Sequence, residues 1–358
     1  MKSVKVGVIG TNRQSHLLAI KSHERAVLVS ICGRNQARTA ERAQKYGIRE
    51  AYADYRRLIA ESDLDAVLVA TPDDLHYPMV MAALEKRLHV MCEKPLALNA
   101  AQAAEMLEKA EQAQVKHMVF YTWRWFPQPR HFCRLIAEGA VGRCLAFSFR
   151  FLQSKNLSAD RDYSWRDDGK RSCGVLGDLG SHLIDLCRFC IDEIDSVSAS
   201  LSTHLPLSGP RQPAEPANDS ALLTVVTQSG AQGTLYASRV AAVPEMELGL
   251  SVYGERGVIE LAFRASGAQI VLMRPGKPPQ EVPLPDELES ELDPDQPFRR
   301  RMQQVLLEQP VGNRLFIDAI LGSADARPSF WDGYKTMQVI DAAIESAETG
   351  CRVSIAEA

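Results

Sequence analysis

The chain has 358 residues, 46% of them hydrophobic and 24% charged, with a formal net charge of −4. That length provides for two domains with separate cores, and the slight negative charge lacks the basic signature of a nucleic-acid binder. No run approaches the roughly eighteen apolar residues of a membrane span, and residues 1–10 read as a strand with no signal-peptide core, so a cytoplasmic protein without a membrane or nucleic-acid partner is expected.

The first 120 residues alternate strand and helix. Short apolar runs at 4–9, 27–32, 66–70, 89–92 and 115–120 read as strands. Helical patterns lie between them at 14–23, 37–46 (closed by Gly47), 78–86 (with a proline at its start) and 100–114. Such alternation predicts a doubly wound parallel sheet with right-handed crossovers.

The pattern changes after Pro127-Gln128-Pro129. A helix at 130–138 ends in Gly139, and from Cys144 the apolar signal has period two through Leu145, Phe147, Phe149 and Phe151. Further strands are expected at 194–202, 221–227, 233–238, 247–253 and 258–262, giving an α+β domain whose mostly antiparallel sheet carries a helix, 178–190, on one face. The proline-rich stretches 205–216 and 275–297 read as loops, and a long helix at 334–348 is closed by Gly350. The expected division is 1–122 and 123–358. Ala146 and Leu152 make the second sheet face partly apolar as well, which predicts sheet-on-sheet packing between two copies.

The eight cysteines do not form a disulfide framework. Cys187 and Cys190 are expected to be helical thiols facing a core, no second pair completes a zinc site, and a reducing compartment fits this usage.

Several positions carry chemistry. Gly10-Thr11-Asn12-Arg13-Gln14-Ser15-His16 follows the first strand, where a dinucleotide fingerprint would read Gly-x-Gly-x-x-Gly. Only the first glycine is present; Asn12 and Ser15 replace the other two. The second strand ends at Gly33-Arg34, with Arg38 one turn on, where NAD-binding folds place a carboxylate for the ribose 2′-hydroxyl. A missing acid with nearby guanidinium groups suits a 2′-phosphate, so NADP is favoured over NAD; the plainer alternative is a solvated arginine face. Thr71-Pro72 ends the fourth strand at the ligand edge, and His76 either lines a cofactor there or packs beside the next helix. Met91-Cys92-Glu93-Lys94-Pro95 puts a cation at the end of a parallel strand, where open α/β sheets bind ligands. Gly177-Asp178-Leu179-Gly180-Ser181-His182 sets an acid and an imidazole one helical turn apart. Lys94, Asp178 and His182 together make a proton-transfer set.

Taken in order, Ala70-Thr71-Pro72, His76, Cys92-Glu93-Lys94-Pro95-Leu96-Ala97, Arg124, Pro127, Trp165-Arg166, Gly174, Asp178, Gly180, His182, Asp185 and Tyr253-Gly254 resemble the Gfo/Idh/MocA family of the glucose–fructose oxidoreductase and inositol dehydrogenase type. The resemblance covers nearly the whole chain. It implies an N-terminal Rossmann domain, a C-terminal domain with a large open sheet, a nicotinamide cofactor, a sugar, polyol or inositol-like substrate, and a homodimer or homotetramer. It also implies Lys94, Asp178 and His182 as the catalytic set. Glu93, Trp165 and Arg166 match positions near the nicotinamide, and Asn12, Arg13 and Gln14 stand where pyrophosphate contacts fall. In that chemistry an imidazole exchanges the proton of the reacting oxygen and a cation stabilises developing alkoxide charge. Two rival functions belong to the same architecture: a non-catalytic dinucleotide-binding regulator and a glycosidase that uses bound NAD for transient oxidation. Retention of Lys94 and His182 argues against the first, and the Gly-Asp-Leu-Gly-Ser-His helix start against the second.

Overall fold

Apolar runs of four to six residues, such as Ala66–Val69 with every side chain buried, can be satisfied only by strands covered on both faces. The computed structural model describes residues 3–11, 14–158, 161–205, 212–289, 293 and 295–355. It divides into one unit of Met1–Thr122 with Met302–Lys335 and a second of Trp123–Arg301 with Thr336–Ala358.

The first unit runs β1 (Val4–Ile9), α1 (Gln14–Lys21), β2 (Ala26–Cys32), α2 (Gln36–Tyr46), β3 (Glu50–Tyr52), α3 (Tyr55–Glu61), β4 (Ala66–Val69), α4 (His76–Glu85), β5 (His89–Cys92), α5 (Ala100–Ala113) and β6 (His117–Val119). The six strands lie parallel in the order β3-β2-β1-β4-β5-β6. This is the Rossmann order, and its reversal point falls between β1 and β4, where Ile9 pairs with Val69. Asn35 caps α2 through Arg38 N at 3.0 Å, and Gly47 closes it in the left-handed conformation (φ 63°). β3 and α3 are absent from the sequence reading. They are short, and a three-residue edge strand leaves no periodicity to detect.

The second unit begins with α6 (Pro127–Ala137), β7 (Cys144–Gln153) and α7 (Ser181–Cys190). It continues through β8 (Ile194–Ser202), β9 (Ser220–Thr227), β10 (Gln232–Ser238), β11 (Met246–Gly254), β12 (Gly257–Arg264), β13 (Gly267–Met273), β14 (Gln280–Glu281) and α8 (Asp286–Glu289). α9 (Phe298–Glu308), α10 (Asn313–Ile320), α11 (Phe330–Thr349) and β15 (Val353–Ser354) follow; α10 belongs to the first unit, and α9 and α11 hold residues of both. The nine-stranded sheet has the order β14-β13-β12-β11-β7-β10-β9-β8-β15. Only β7 and β10 pair in parallel; the other pairs are antiparallel. Phe147, Phe149 and Phe151 are buried on the face that receives α6 and α7, each stabilising the unit by about 2 kcal/mol.

Several expectations need correction. Leu145, placed in the same inner row, is 46% exposed, near the start of β7. The opposite face is not a plain apolar surface: Ser148 accepts from Thr234 at 2.9 Å, and Glu247 bridges Arg150 and Arg264. The stretch 275–297 holds β14 and α8 besides loop. Cys190 is disulfide-bonded to Cys133 of α6 and so is not a free thiol. Cys187 is free and buried, and burial pushes its thiol pKa well up. Among the described residues no helix is long and apolar enough to cross a membrane.

Candidate active site

In the first unit the loops at the strand ends converge on the β1–β4 reversal. Gly10 has φ 115°, and a Cβ there would stand 2.1 Å from the Ala70 carbonyl oxygen, so only glycine lets the two loops touch. Gly33 is equally confined: a Cβ would lie 2.5 Å from Thr11 Cγ2 and 2.7 Å from Thr39 Oγ1. The acid missing at this position is therefore excluded by sterics as well. Arg34, just before α2, and Arg38, in its first turn, are both exposed. Gln14, also exposed, accepts a hydrogen bond from the Tyr46 hydroxyl at 2.9 Å. Asn12 and Arg13 lie outside the described residues.

The Thr71-Pro72 loop and the Lys94-Pro95 turn are stapled by one side chain. The fully buried His76 has Nδ1 at 2.9 Å from the Pro95 carbonyl and Nε2 at 3.1 Å from the Thr71 carbonyl. Burial lowers its pKa, while the two carbonyls act in the opposite sense. This is the packing role weighed for His76 in the sequence. The Lys94-Pro95 peptide is cis, and Lys94 is 7% exposed. Beside it Glu93 is buried, with Oε1 at 2.9 Å from His16 Nε2. The other ring nitrogen of His16 accepts from Asn313 Nδ2 of α10 at 3.0 Å, which assigns the proton to Nε2 and makes Glu93 its acceptor. Neither His16 nor Asn313 was singled out from the sequence. Their partners lie 77 and 297 residues away, beyond any local pattern.

In the second unit Asp178 and His182 do not share one α-helix. Leu176–Gly180 forms a π-helical turn, and α7 starts at Ser181. Such turns re-aim side chains and are frequent at functional sites. Asn218 clamps the entry, accepting from Leu176 N at 3.0 Å and donating to the Cys173 carbonyl at 3.1 Å. The Asp178 carboxylate accepts from Arg166 Nε at 3.3 Å and from Arg239 Nη2. Arg166 stacks on Trp165 with 4.1 Å from guanidinium to ring centre. Their turn is fixed by a capping box between Ser164 and Asp167. His182, 7% exposed, packs edge-on to Trp123 with ring centres 6.5 Å apart and lies 6.1 Å from Phe151. Asp185, on the same helix, is spent on structure: it takes a bidentate pair from Arg124 at 2.7 and 2.8 Å with both groups largely buried.

Residues 4–121 match the pattern of the Gfo/Idh/MocA oxidoreductases with an NAD-binding Rossmann fold, and residues 130–260 match that family's C-terminal domain. The chain belongs to the Gfo/Idh/MocA family. A levoglucosan dehydrogenase from Pseudarthrobacter phenanthrenivorans is 29% identical over 345 residues, covering 87% of this chain and 85% of its own. An inositol 2-dehydrogenase from Rubrobacter xylanophilus is 28% identical, covering 97% and 92%. The solved structure of a levoglucosan dehydrogenase in complex with NADH and levoglucosan superposes with a TM-score of 0.90 at 26% identity, over 99% of this chain and all of the other. The present Gfo/Idh/MocA protein is accordingly an enzyme, a nicotinamide-dependent dehydrogenase.

Within this family member the structure adds Arg239, His16, Asn313 and Asn218 to the residues expected from sequence. Arg239 directly follows β10 and carries no local signal; its tie to Asp178 exists only in three dimensions.

Proposed function

We propose that the chain catalyses hydride transfer between NADP, or NAD, and a sugar, polyol or inositol-like substrate, with Lys94, Asp178 and His182 as the catalytic set. The bound nicotinamide supplies the hydride acceptor or donor; the protein supplies position and proton exchange. Lys94, set by the Glu93–Pro95 turn at the end of β5, polarises the reacting oxygen and stabilises its negative charge. His182 exchanges the oxygen's proton, its ring held edge-on by Trp123. Asp178, its carboxylate held by two guanidinium groups, offers an acceptor to a substrate hydroxyl. The observation that carries this reading is the π-helical turn that presents Asp178 ahead of His182, because it spends local helix geometry on aiming a polar group. The relatives named levoglucosan and inositol dehydrogenases support the substrate class.

Glycine at 33 and the exposed Arg34 and Arg38 favour the 2′-phosphate of NADP. Gly10, Thr11, Asn12, Arg13, Gln14, Thr71, Pro72, Glu93, Trp165 and Arg166 complete the proposed cofactor surroundings, with His76 acting through the two loops that it joins. Residues 1–122 bear the nucleotide-binding role and 123–358 the substrate and assembly roles, through a homodimer or homotetramer built on the outer sheet face. The deciding experiment is steady-state reduction of NADP and NAD by a panel of sugars and polyols. Sustained turnover of free cofactor is expected, and its absence across the panel would refute the dehydrogenase assignment of substrate and residues.

A further inference from the structure

The main chain that leads to Lys94 is held by the sheet as far as Glu93. Glu93 N donates to the Val69 carbonyl of β4 at 2.9 Å, and Phe120 N, just past β6, donates to the Cys92 carbonyl at 2.9 Å. The direction in which the chain then leaves the sheet is set by the side chain of Glu93, which folds back on its own turn. Its Oε2 accepts from Lys94 N at 3.3 Å, and its Oε1 lies 2.9 Å from His16 Nε2. Both oxygens of the buried carboxyl group are thus engaged, as burial of such a group demands. His16, the third residue of α1, is 1% exposed and stands edge-on to Phe120 with ring centres 4.5 Å apart. Asn313, the first residue of α10, donates through Nδ2 to His16 Nδ1 at 3.0 Å. Turning the Asn313 amide over would put its oxygen against Nδ1 and draw the ring proton there. The lone pair of Nε2 would then face Glu93 Oε1, two acceptors in contact. Three buried side chains from α1, α10 and the end of β5 therefore agree on one proton arrangement, which ends at the backbone of Lys94.

We propose that His16 and Asn313 are positioning residues for the reaction, acting in series through Glu93 on the turn that carries Lys94. The inference rests on the reading that Lys94 belongs to the catalytic set. Asn313 selects the ring tautomer of His16, His16 orients the Glu93 carboxyl group, and Glu93 sets the backbone from which the Lys94 side chain starts. A group that polarises a reacting oxygen works only within a narrow geometry, so such support acts on the rate of the chemical step.

The test uses the intact enzyme with levoglucosan, myo-inositol and glucose, each with NADP and NAD, and follows NADPH affinity by fluorescence titration. His16→Leu is expected to lower kcat by about ten- to hundredfold while NADPH affinity and substrate KM move far less. His16→Gln, whose amide nitrogen reaches as far as Nε2, should recover most of the loss. Asn313→Leu should lower kcat in the same direction, and the double variant with His16→Leu should fall no further than His16→Leu alone, because the two act in one chain. Near-normal kcat in folded Asn313→Leu or His16→Leu, or fully additive losses in the double variant, would overturn the proposal. A raised cofactor KM with unchanged kcat would also overturn it and assign the three residues to nucleotide binding through α1. If His16→Leu does not fold, Asn313→Leu and His16→Gln decide by the same criteria. Failure of wild type to reduce either cofactor with any of the three compounds would instead sink the reading of Lys94, and the positioning role with it.

Discussion

Arg239, one residue past β10, donates through Nη2 to Asp178 in the π-helical turn before α7, 61 residues earlier in the chain. The contact fixes a carboxylate that the local helix alone would leave free to rotate. It also ties the central part of the open sheet to the segment that carries His182.

Removing this tie should be felt in catalysis. Arg239→Met keeps the aliphatic bulk but leaves Asp178 held by Arg166 at 3.3 Å. We expect kcat/KM to fall by about ten- to hundredfold with the fold retained, and Arg239→Lys to recover part of the loss. Unchanged kcat/KM in a folded Arg239→Met enzyme would show that Asp178 needs no second guanidinium.

The nucleotide-binding unit was largely legible in the sequence because its strands are buried on both faces and therefore read as uninterrupted apolar runs such as Ala66–Val69. Turn chemistry helped too: Gly47 lies in the conformation its place after a helix implied. The second unit was harder. β13 and β15 lie at or near the sheet edges, where alternation is blurred by exposed positions, and α9 and α10 follow a proline-rich stretch that masks their start. The π turn was invisible because an acid and a histidine four residues apart fit an ordinary helix equally well. The pairs that order the polar groups, His16 with Glu93 and Asp178 with Arg239, join residues with no sequence relationship.

Lys94→Ala and His182→Ala should each lower turnover by about two or more orders of magnitude, the range for oxyanion and acid–base groups. Cofactor affinity, followed by fluorescence titration of the reduced nucleotide, should change far less. A variant that keeps near-normal turnover on the true substrate would remove that residue from the catalytic set.

Arg34→Ala should weaken NADP(H) much more than NAD(H), by roughly ten- to hundredfold, if its exposed guanidinium reads the 2′-phosphate. Equal losses for the two nucleotides in a titration would end that role. Because Gly33 is confined by Thr11 and Thr39, an acid introduced there is expected to disturb the loop, and Arg34 is the cleaner probe.

His117 in β6 should make stability depend on acid. Its pKa is lowered to about 4, chiefly by burial and then by Lys116, with Asp332 opposing. Its Nδ1 accepts from Phe330 N at 3.1 Å, and protonation there would break that bond. The unfolded chain takes up the proton near pH 6.5 and the folded one only near pH 4. The contribution is therefore complete above about pH 6.5 and lost as pH falls towards 4, at most about 2–3 kcal/mol. Urea unfolding at several pH values should show this slope in wild type and a shallower one in His117→Gln. Parallel curves would assign the acid sensitivity to other groups.

The outer sheet face should be an interface between copies. Leu222 and Tyr236 are direct cross-strand neighbours there, exposed by 46% and 36%, and Arg150 continues the same row on β7. Polar groups on this face are already satisfied within the sheet, Thr234 by Ser148 and Arg150 by Glu247. A second copy could therefore cover the face without leaving these groups unpaired, and its apolar residues would gain burial. A two-fold arrangement lets the same residues serve both copies. Light scattering at low micromolar concentration should give a multiple of the 39.6 kDa chain. Leu222→Glu combined with Tyr236→Glu should shift it towards the single-chain mass, because like charges would then meet across the contact. A wild-type mass of one chain would refute the interface, and an oligomer untouched by the double substitution would place it elsewhere on the surface.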